Sequence, residues 1–252
     1  MDETTRLIHH PYRAPAGFDA VPVAVHKAST VMFASVAALR ARDWRSKAGY
    51  TYGLHGTPTT FTLEERVAAL EGGRHTVLAP CGLAAIALAH VALLKAGDEV
   101  LLPDNVYGPA KDLARSLLAG FGIEHRVYDP MDAAALDALV GPRTRLLWVE
   151  AAGSVTMEFP DLRALVRVAR RHGLAVALDN TWGAGRAFKP FDLGDGLAVD
   201  LSVHALTKYP SGGADVLMGA VTSVDAALHE RVLLAHMRLG LGVGANDAEL
   251  VL

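Results

Sequence analysis

The sequence of 252 residues predicts an α/β fold: a three-layer α/β/α domain around a mostly parallel seven-stranded sheet, preceded by an extended N-terminal arm. The first observation is a series of seven short apolar runs, each typical of a strand buried on both faces. The second is that helical patterns fall between most of these runs. Because parallel strands are joined by crossover connections, this alternation indicates a sheet covered by helices on both sides.

The predicted strands are short and evenly distributed over the chain. They lie at 75–79, 99–102, 123–128, 145–150, 174–179, 199–204 and 215–222. The first helix is predicted to open at a capping box from Thr62 to Glu65 and to end at Gly72. Two further helical patterns end before Gly97 and at Gly120. Another runs from Pro160 and Asp161 to Gly173, and the last runs from Asp225 to about Arg238.

The pattern divides the chain into two parts. Residues 1–45 lack regular periodicity and carry Pro11, Pro15 and Pro22, which predicts an arm that lies on a partner surface. Residues 46–252 are predicted to form one large domain. The chain ends on the apolar residues 250–252, which is typical of an interrupted element or of a docking segment.

The composition excludes several classes of protein. A hydrophobic fraction of 51% with 20% charged residues argues against disorder, and a net charge of −3 gives no reason to expect binding to nucleic acid or to an anionic membrane. The single cysteine, Cys81, excludes an internal disulfide framework. The most apolar stretch, at 83–94, is too short to span a bilayer, and no secretory signal pattern is present. We expect a cytoplasmic location.

Three polar side chains follow predicted strands and therefore belong at one edge of the sheet. Lys208 follows the sixth run, Asp179 the fifth and Tyr107 the second. Ligands bind at the carboxyl ends of strands in open α/β sheets. An amine that forms a Schiff base and a carboxylate that keeps a pyridine nitrogen protonated are what a pyridoxal-phosphate enzyme requires. Taken singly, the lysine is equally a solvated surface residue, the aspartate a helix cap and the tyrosine a core residue.

A candidate phosphate site follows the first strand. The segment 76–87 has the pattern of a strand, a tight turn and a helix, and Gly82 allows the backbone to approach a ligand. The hydroxyl of Thr207, beside Lys208, also suits a phosphate. Such turns occur in many α/β proteins that bind no phosphate. Cys81 is interpreted as a turn residue rather than a nucleophile, and the eleven histidines lack metal-ligand spacing, so no metal site is expected.

These residues occur in motifs that resemble one known family. The motifs include Leu-Glu-Gly-Gly at 70–73, Asp-Asn-Thr-Trp at 179–182 and Ala-Leu-Thr-Lys-Tyr at 205–209, with further matches at 52–59, 80–85, 103–109 and 153–158. In this order they resemble the Cys/Met-metabolism family of fold-type-I pyridoxal-phosphate enzymes. The resemblance implies that the cofactor, pyridoxal 5'-phosphate, is attached to Lys208 and paired with Asp179. It also implies that Tyr107 stacks on the ring, that Gly82, Leu83 and Thr207 hold the phosphate, and that Tyr52 reaches a neighbouring subunit's phosphate.

The resemblance also implies an activity. Segments 156–158 and 180–182 are similar to the β-lyases of the family, which implies cleavage of L-cystathionine by α,β-elimination to homocysteine, pyruvate and ammonia in methionine biosynthesis. The alternatives are a related cysteine or methionine β- or γ-lyase or γ-synthase, and a module that binds the cofactor with little or no activity. A homo-oligomer, namely a tetramer built from dimers that share active sites, is implied as well.

The sequence departs from the family pattern at three places. Leu54 stands where the family has an arginine that contacts phosphate, with His55 as the candidate substitute. Ala152 replaces a proline. The chain ends where the family continues into a small C-terminal domain, which supplies the arginine that grips the substrate carboxylate.

Overall fold

A computed structural model describes residues 22–252, together with residues 2, 5, 16 and 17. The predicted arm at 1–45 therefore lies largely outside the described residues. From residue 22 to residue 45 the chain forms one short helix, α1 (Val36–Arg40), which begins after Ser35. The Ser35 hydroxyl oxygen accepts a hydrogen bond from the amide of Ala38, at 3.1 Å, and so caps the helix. The predicted domain boundary at residue 45 stays a prediction.

Seven strands form one sheet, and the predicted fold class is confirmed. The strands are β1 (His75–Ala79), β2 (Glu99–Pro103), β3 (Glu124–Tyr128), β4 (Thr144–Glu150), β5 (Ala175–Asp179), β6 (Leu201–His204) and β7 (Gly219–Ser223). Their order across the sheet is β1-β7-β6-β5-β4-β2-β3. Strand β7 pairs antiparallel with β1 and with β6, whereas the other pairs are parallel. The first six strands thus point the same way, and their carboxyl ends share one edge.

Helices cover both faces of the sheet. They are α2 (Pro58–Glu71), α3 (Gly82–Leu93), α4 (Gly108–Leu113), α5 (Ala133–Leu139), α6 (Leu162–Arg171), α7 (Ala226–Leu239) and α8 (Ala245–Val251). Within one strand, Trp148 packs in the core with α3 and α7, while its neighbours Leu147 and Val149 pack in the core with α5 and α6. Alternate residues of a strand point to opposite faces, so β4 is buried on both faces, whereas the edge strand β3 is largely exposed. Burial on both faces explains why β4 is a continuous apolar run.

The predicted start of the first long helix is wrong by about one turn. Helix α2 begins at Pro58, and its capping box joins Thr57 and Thr60 rather than Thr62 and Glu65. The Thr60 hydroxyl accepts a hydrogen bond from the Thr57 amide at 2.8 Å, and the Thr57 hydroxyl accepts one from the Thr60 amide at 3.3 Å. Proline fits the first helical position because its missing N–H would have no partner there. The predicted end is confirmed: Gly72 adopts φ 74° and ends the helix.

The seventh strand is shorter than predicted. It begins at Gly219 instead of residue 215 because the backbone of Met218 is already paired. The Met218 carbonyl accepts hydrogen bonds from the amide and the hydroxyl of Thr207, and the Met218 amide donates to the Thr207 hydroxyl oxygen at 2.9 Å. These contacts fix the chain beside Lys208, and the strand begins only after Met218. No helix in the described part of the chain is long and apolar enough to cross a membrane.

Candidate active site

A cavity of about 810 Å³ opens at the carboxyl edge of the parallel strands. Its walls come from the segments that follow β1, β2, β4, β5 and β6. Six of the seven predicted site residues line it: Gly82, Leu83, Tyr107, Asp179, Thr207 and Lys208. The sheet therefore brings together residues that are up to 126 positions apart in the chain, because Gly82 and Lys208 both follow strands that end at this edge. The volume lies within the range of about 300 to 1,000 Å³ that small-molecule sites occupy.

The start of helix α3 forms one wall of the cavity. Cys81 is its N-cap, and the Cys81 sulfur accepts a hydrogen bond from the amide of Ala84 at 3.4 Å. The first amides of the helix, at Gly82 and Leu83, lack partners within the helix and carry the positive end of its dipole. A Cβ atom on Gly82 would lie 2.7 Å from the Cβ of Ala205, so only glycine lets the helix start approach the segment that leads to Lys208.

Two carboxyl groups stand side by side in the cavity wall. Asp179 ends β5, Glu150 ends β4, and their Cα atoms are register partners. Burial raises the pKa of Asp179, whereas hydrogen bonds from Thr181 and the nearby His204 lower it. Burial also raises the pKa of Glu150 to about 7, and the charge of Asp179 adds to that rise. Two adjacent buried carboxyl groups resist ionising together, so the pair favours one negative charge.

Lys208 lies exposed at the cavity instead of buried beneath it. Among the side chains that line this cavity, it is the one lysine, and no arginine is present in the lining. The neighbouring Thr207 hydroxyl donates to the carbonyl of Met218 at 3.0 Å. A contact from this hydroxyl to a phosphate would require that bond to break, so the predicted phosphate contact of Thr207 stays a prediction.

The mouth of the cavity is apolar and aromatic. Tyr107 has 43% of its surface exposed there, and the ring of Trp182 meets that of Tyr209 edge to face at a centroid distance of 6.3 Å. Val155 and Leu217, also at the mouth, are 96% and 69% exposed. Such a concentration of exposed apolar side chains around a polar floor is typical of a binding site.

Tyr52 does not line this cavity. Its ring packs edge to face against His55, with centroids 5.7 Å apart. Leu54 and His55 line a separate small pocket beside Trp44. Within one chain the structure therefore does not bring Tyr52 to the other predicted residues, and its contact with a second subunit stays a prediction.

Glu150 is a site residue that the sequence analysis missed. A signal was present, because Glu150 ends a buried apolar run in the same way as Asp179 does. Ser154 was missed too, and it lies in the loop that follows β4. Among the described residues no group of three or more His, Cys, Asp or Glu side chains is arranged to hold a metal ion.

The sheet, the helix start and the lysine at its edge define a class of protein, the pyridoxal-phosphate enzymes of fold type I. Within this class, the chain belongs to the family described as Cys/Met metabolism PLP-dependent enzymes, whose model matches residues 4–252. The predicted family is thereby confirmed, and with it the cofactor, since pyridoxal phosphate is the cofactor of that family.

Individual relatives agree with this assignment. The chain is 42% identical over 231 residues to a putative cystathionine beta-lyase of Rhizobium johnstonii, covering 92% of this chain and 56% of the relative. It is 40% identical over 245 residues to the cystathionine beta-lyase of Bordetella avium, covering 96% and 60%.

A solved structure has the same fold. It is a putative O-acetylhomoserine (thiol)-lyase of Campylobacter jejuni, crystallised with N'-pyridoxyl-lysine-5'-monophosphate, and it superposes with a TM-score of 0.91 at 24% identity over all of this chain and 69% of that one. The chain spans between half and two thirds of the length of the two curated relatives.

Proposed function

We propose that the chain binds pyridoxal phosphate in the 810 Å³ cavity and belongs to a carbon–sulfur lyase that cleaves L-cystathionine to homocysteine, pyruvate and ammonia. One observation carries the proposal: the amine of Lys208, the carboxylate of Asp179 and the helix start at Gly82 line the same cavity. These are the three groups that an aldehyde, a pyridine nitrogen and a phosphate require.

The residues divide the binding of the cofactor among them. The amides of Gly82 and Leu83 would hold the phosphate at the positive end of helix α3. The buried carboxylate of Asp179 would hold a protonated ring nitrogen, and that cation would in turn favour the ionised form of the carboxyl group. The ring of Tyr107 would cover one face of the cofactor.

The chemistry of the bound cofactor is to take up the electron pair left at the α-carbon of an amino acid. Lys208 contributes twice, first as the amine that attaches the cofactor and then, once released, as the base that moves the α-proton. Its exposed position at the cavity lets the amine reach both partners. Tyr107 lines the same cavity and would assist the proton transfer.

The choice of cystathionine rests on the relatives. The two curated relatives at 40% and 42% identity carry the name cystathionine beta-lyase, one of them as putative. Val155, Met157 and Trp182 line the cavity and would contact the methylene and thioether part of the substrate. A cytoplasmic location, a large domain at 46–252 and a homo-oligomer in which Tyr52 serves a neighbouring site belong to this proposal.

The experiment tests binding and reaction separately. The purified chain is mixed with pyridoxal phosphate, dialysed and examined for the yellow absorbance of cofactor attached to a lysine. We expect the colour in the wild type and in Lys95→Ala, whose lysine lies at the opposite edge of the sheet, and its loss in Lys208→Ala. A colourless wild type would overturn the cofactor site.

Turnover is measured next, by adding L-cystathionine and assaying pyruvate and free thiol. Pyruvate and homocysteine in equal amounts support the proposed reaction. A coloured protein that releases no pyruvate, both as this chain and as any longer product of the same gene, would contradict the reaction and leave the cofactor site standing.

A further inference from the structure

Glu150 is one of two carboxyl groups in the cavity wall, the other being Asp179, and it binds the loops around the cavity. Glu150 is the last residue of β4 and is only 2% exposed. One carboxylate oxygen accepts a hydrogen bond from the backbone amide of Tyr107 at 2.9 Å. Hydrogen bonding by Ser154, in the loop after β4, lowers the pKa of the same carboxyl group. The carboxyl group therefore joins the loops that follow the neighbouring strands β2 and β4.

The amide that Glu150 binds belongs to Tyr107, whose side chain lines the cavity. Tyr107 is the N-cap residue of helix α4, and its side chain makes no capping hydrogen bond to that helix. Its backbone has φ −43° and ψ 121°, a conformation outside the helix. Since helix starts leave amides without intrahelical partners, an external acceptor is needed to fix this residue. Glu150 provides that acceptor from the end of β4, a buried strand in the middle of the sheet.

The loop that carries Tyr107 has a second attachment on the same side. The amide nitrogen of the Asn105 side chain donates to Glu158 at 3.0 Å. A Cβ on Gly153 would lie 2.2 Å from that nitrogen, so the loop after β4 must approach closely here. Two hydrogen bonds thus hold the backbone and the Asn105 side chain of this loop. The phenol ring of Tyr107 remains exposed and lines the cavity.

We propose that Glu150 is a positioning residue whose carboxylate fixes the backbone of Tyr107 and thereby holds the phenol ring over the cavity. The inference rests on the proposed function, because it takes pyridoxal phosphate to be the molecule that the Tyr107 ring covers. The hydrogen bond itself does not depend on what the cavity binds. A carboxyl group is suited to this task because it offers an oxygen that accepts the hydrogen bond whether or not the group is ionised.

The first measurement needs no cofactor. Hydrogen exchange of the Tyr107 amide is followed by NMR or mass spectrometry in the wild type, Glu150→Gln and Glu150→Ala. Glutamine keeps an oxygen that can accept the hydrogen bond, whereas alanine removes it. We expect exchange at least about tenfold faster in Glu150→Ala, as loss of one hydrogen bond predicts, and close to the wild type in Glu150→Gln. Equal exchange in all three proteins would overturn the proposal.

The second measurement is the dissociation constant for pyridoxal phosphate. We expect it to rise about tenfold in Glu150→Ala, the change that loss of one well-placed aromatic contact would cause, and to recover to within about threefold of the wild type in Glu150→Gln. Glu124→Ala is the matched control, because Glu124 is an exposed carboxylate at the start of β3 and pairs with Arg143. We expect no change there.

The two proposals fail in distinguishable ways. If Glu150→Gln binds the cofactor as poorly as Glu150→Ala while its Tyr107 amide stays protected, the charge and not the position matters, and the positioning role is overturned. If no variant, including the wild type, binds the cofactor, the proposed function fails while the exchange experiment still decides the link between Glu150 and Tyr107.

Discussion

The carboxylate of Glu71 lies 3.0 Å from the imidazole of His204, and both residues are almost completely buried beneath the candidate site. The contact lacks the geometry of a hydrogen bond. The other oxygen of Glu71 accepts hydrogen bonds from Asn180 at 2.9 Å and from Ser202 at 2.7 Å. The end of helix α2 is thereby joined to β6 and to the residue after Asp179.

Replacing Glu71 is expected to destabilise the fold strongly. Glu71→Ala leaves the buried donors of Asn180 and Ser202 without an acceptor, and removing one member of a buried polar group costs about 3 to 5 kcal/mol. The free energy of unfolding, measured with urea, provides the test. The control is Glu124→Ala, an exposed pair with Arg143, which should cost less than about 1 kcal/mol. Similar losses in the two variants would contradict this prediction.

Stability is expected to fall in acid through His90. This residue is buried, its ring stacks on Trp148 at a centroid distance of 4.6 Å, and burial lowers its pKa to about 4. In the unfolded chain its pKa is about 6.5. Between these pH values the unfolded state binds more protons, so the free energy of unfolding decreases as the pH falls, by up to roughly 3 kcal/mol.

The variant His90→Phe isolates this contribution. Phenylalanine keeps a ring against Trp148, cannot be protonated, and leaves out a nitrogen, Nε2, that has no hydrogen-bond partner. Unfolding with urea is compared at pH 7.5 and pH 5, two conditions that bracket the ordinary pKa of about 6.5. We expect the variant to lose less stability on acidification than the wild type. Equal losses would show that His90 does not titrate as its burial requires.

Gly219 is expected to tolerate no side chain. A Cβ there would lie 2.4 Å from the carbonyl oxygen of Cys81 and 2.8 Å from its carbon, which is backbone and cannot turn away. Gly219→Ala should therefore cost about 1 to 3 kcal/mol of stability and weaken pyridoxal-phosphate binding by displacing the turn before Gly82. Thermal unfolding and the dissociation constant are measured. Gly120→Ala, where a Cβ meets no atom within 4 Å, should change stability by less than about 0.5 kcal/mol.

Val155 holds a strained backbone at the mouth of the cavity. It is 96% exposed, so packing does not compensate for its φ of 67°, a region that β-branched residues avoid. Asparagine adopts this conformation more readily, and Val155→Asn should raise stability by about 1 kcal/mol. The same change at the exposed Val127 of β3 should lower stability, because valine suits a strand better than asparagine does. A loss in both variants would show that strain at Val155 is small.

The strands could be predicted because burial on both faces leaves a continuous apolar run, as at 145–150. The predicted boundaries of helices and strands were wrong where another contact, local or long-range, determined the observed boundary. Thr207 binds the backbone of Met218, 11 residues away, and delays β7. Asp179 and Lys208 could be placed at one edge because both follow parallel strands. Glu150 obeys the same rule, yet its importance depends on the amide of Tyr107, 43 residues earlier, and no local pattern records that bond.

The pairing of β1 with β7 has a consequence for the time at which the site forms. Strand β1 joins the sheet through β7, whose residues are made about 140 positions later. During synthesis, β2 to β5 can associate as soon as residue 179 has emerged, whereas β1 can join the sheet only after β7 has been made. Contacts of such large sequence separation form slowly. Binding of the cofactor thus comes late in folding, and a chain that binds pyridoxal phosphate has completed its sheet.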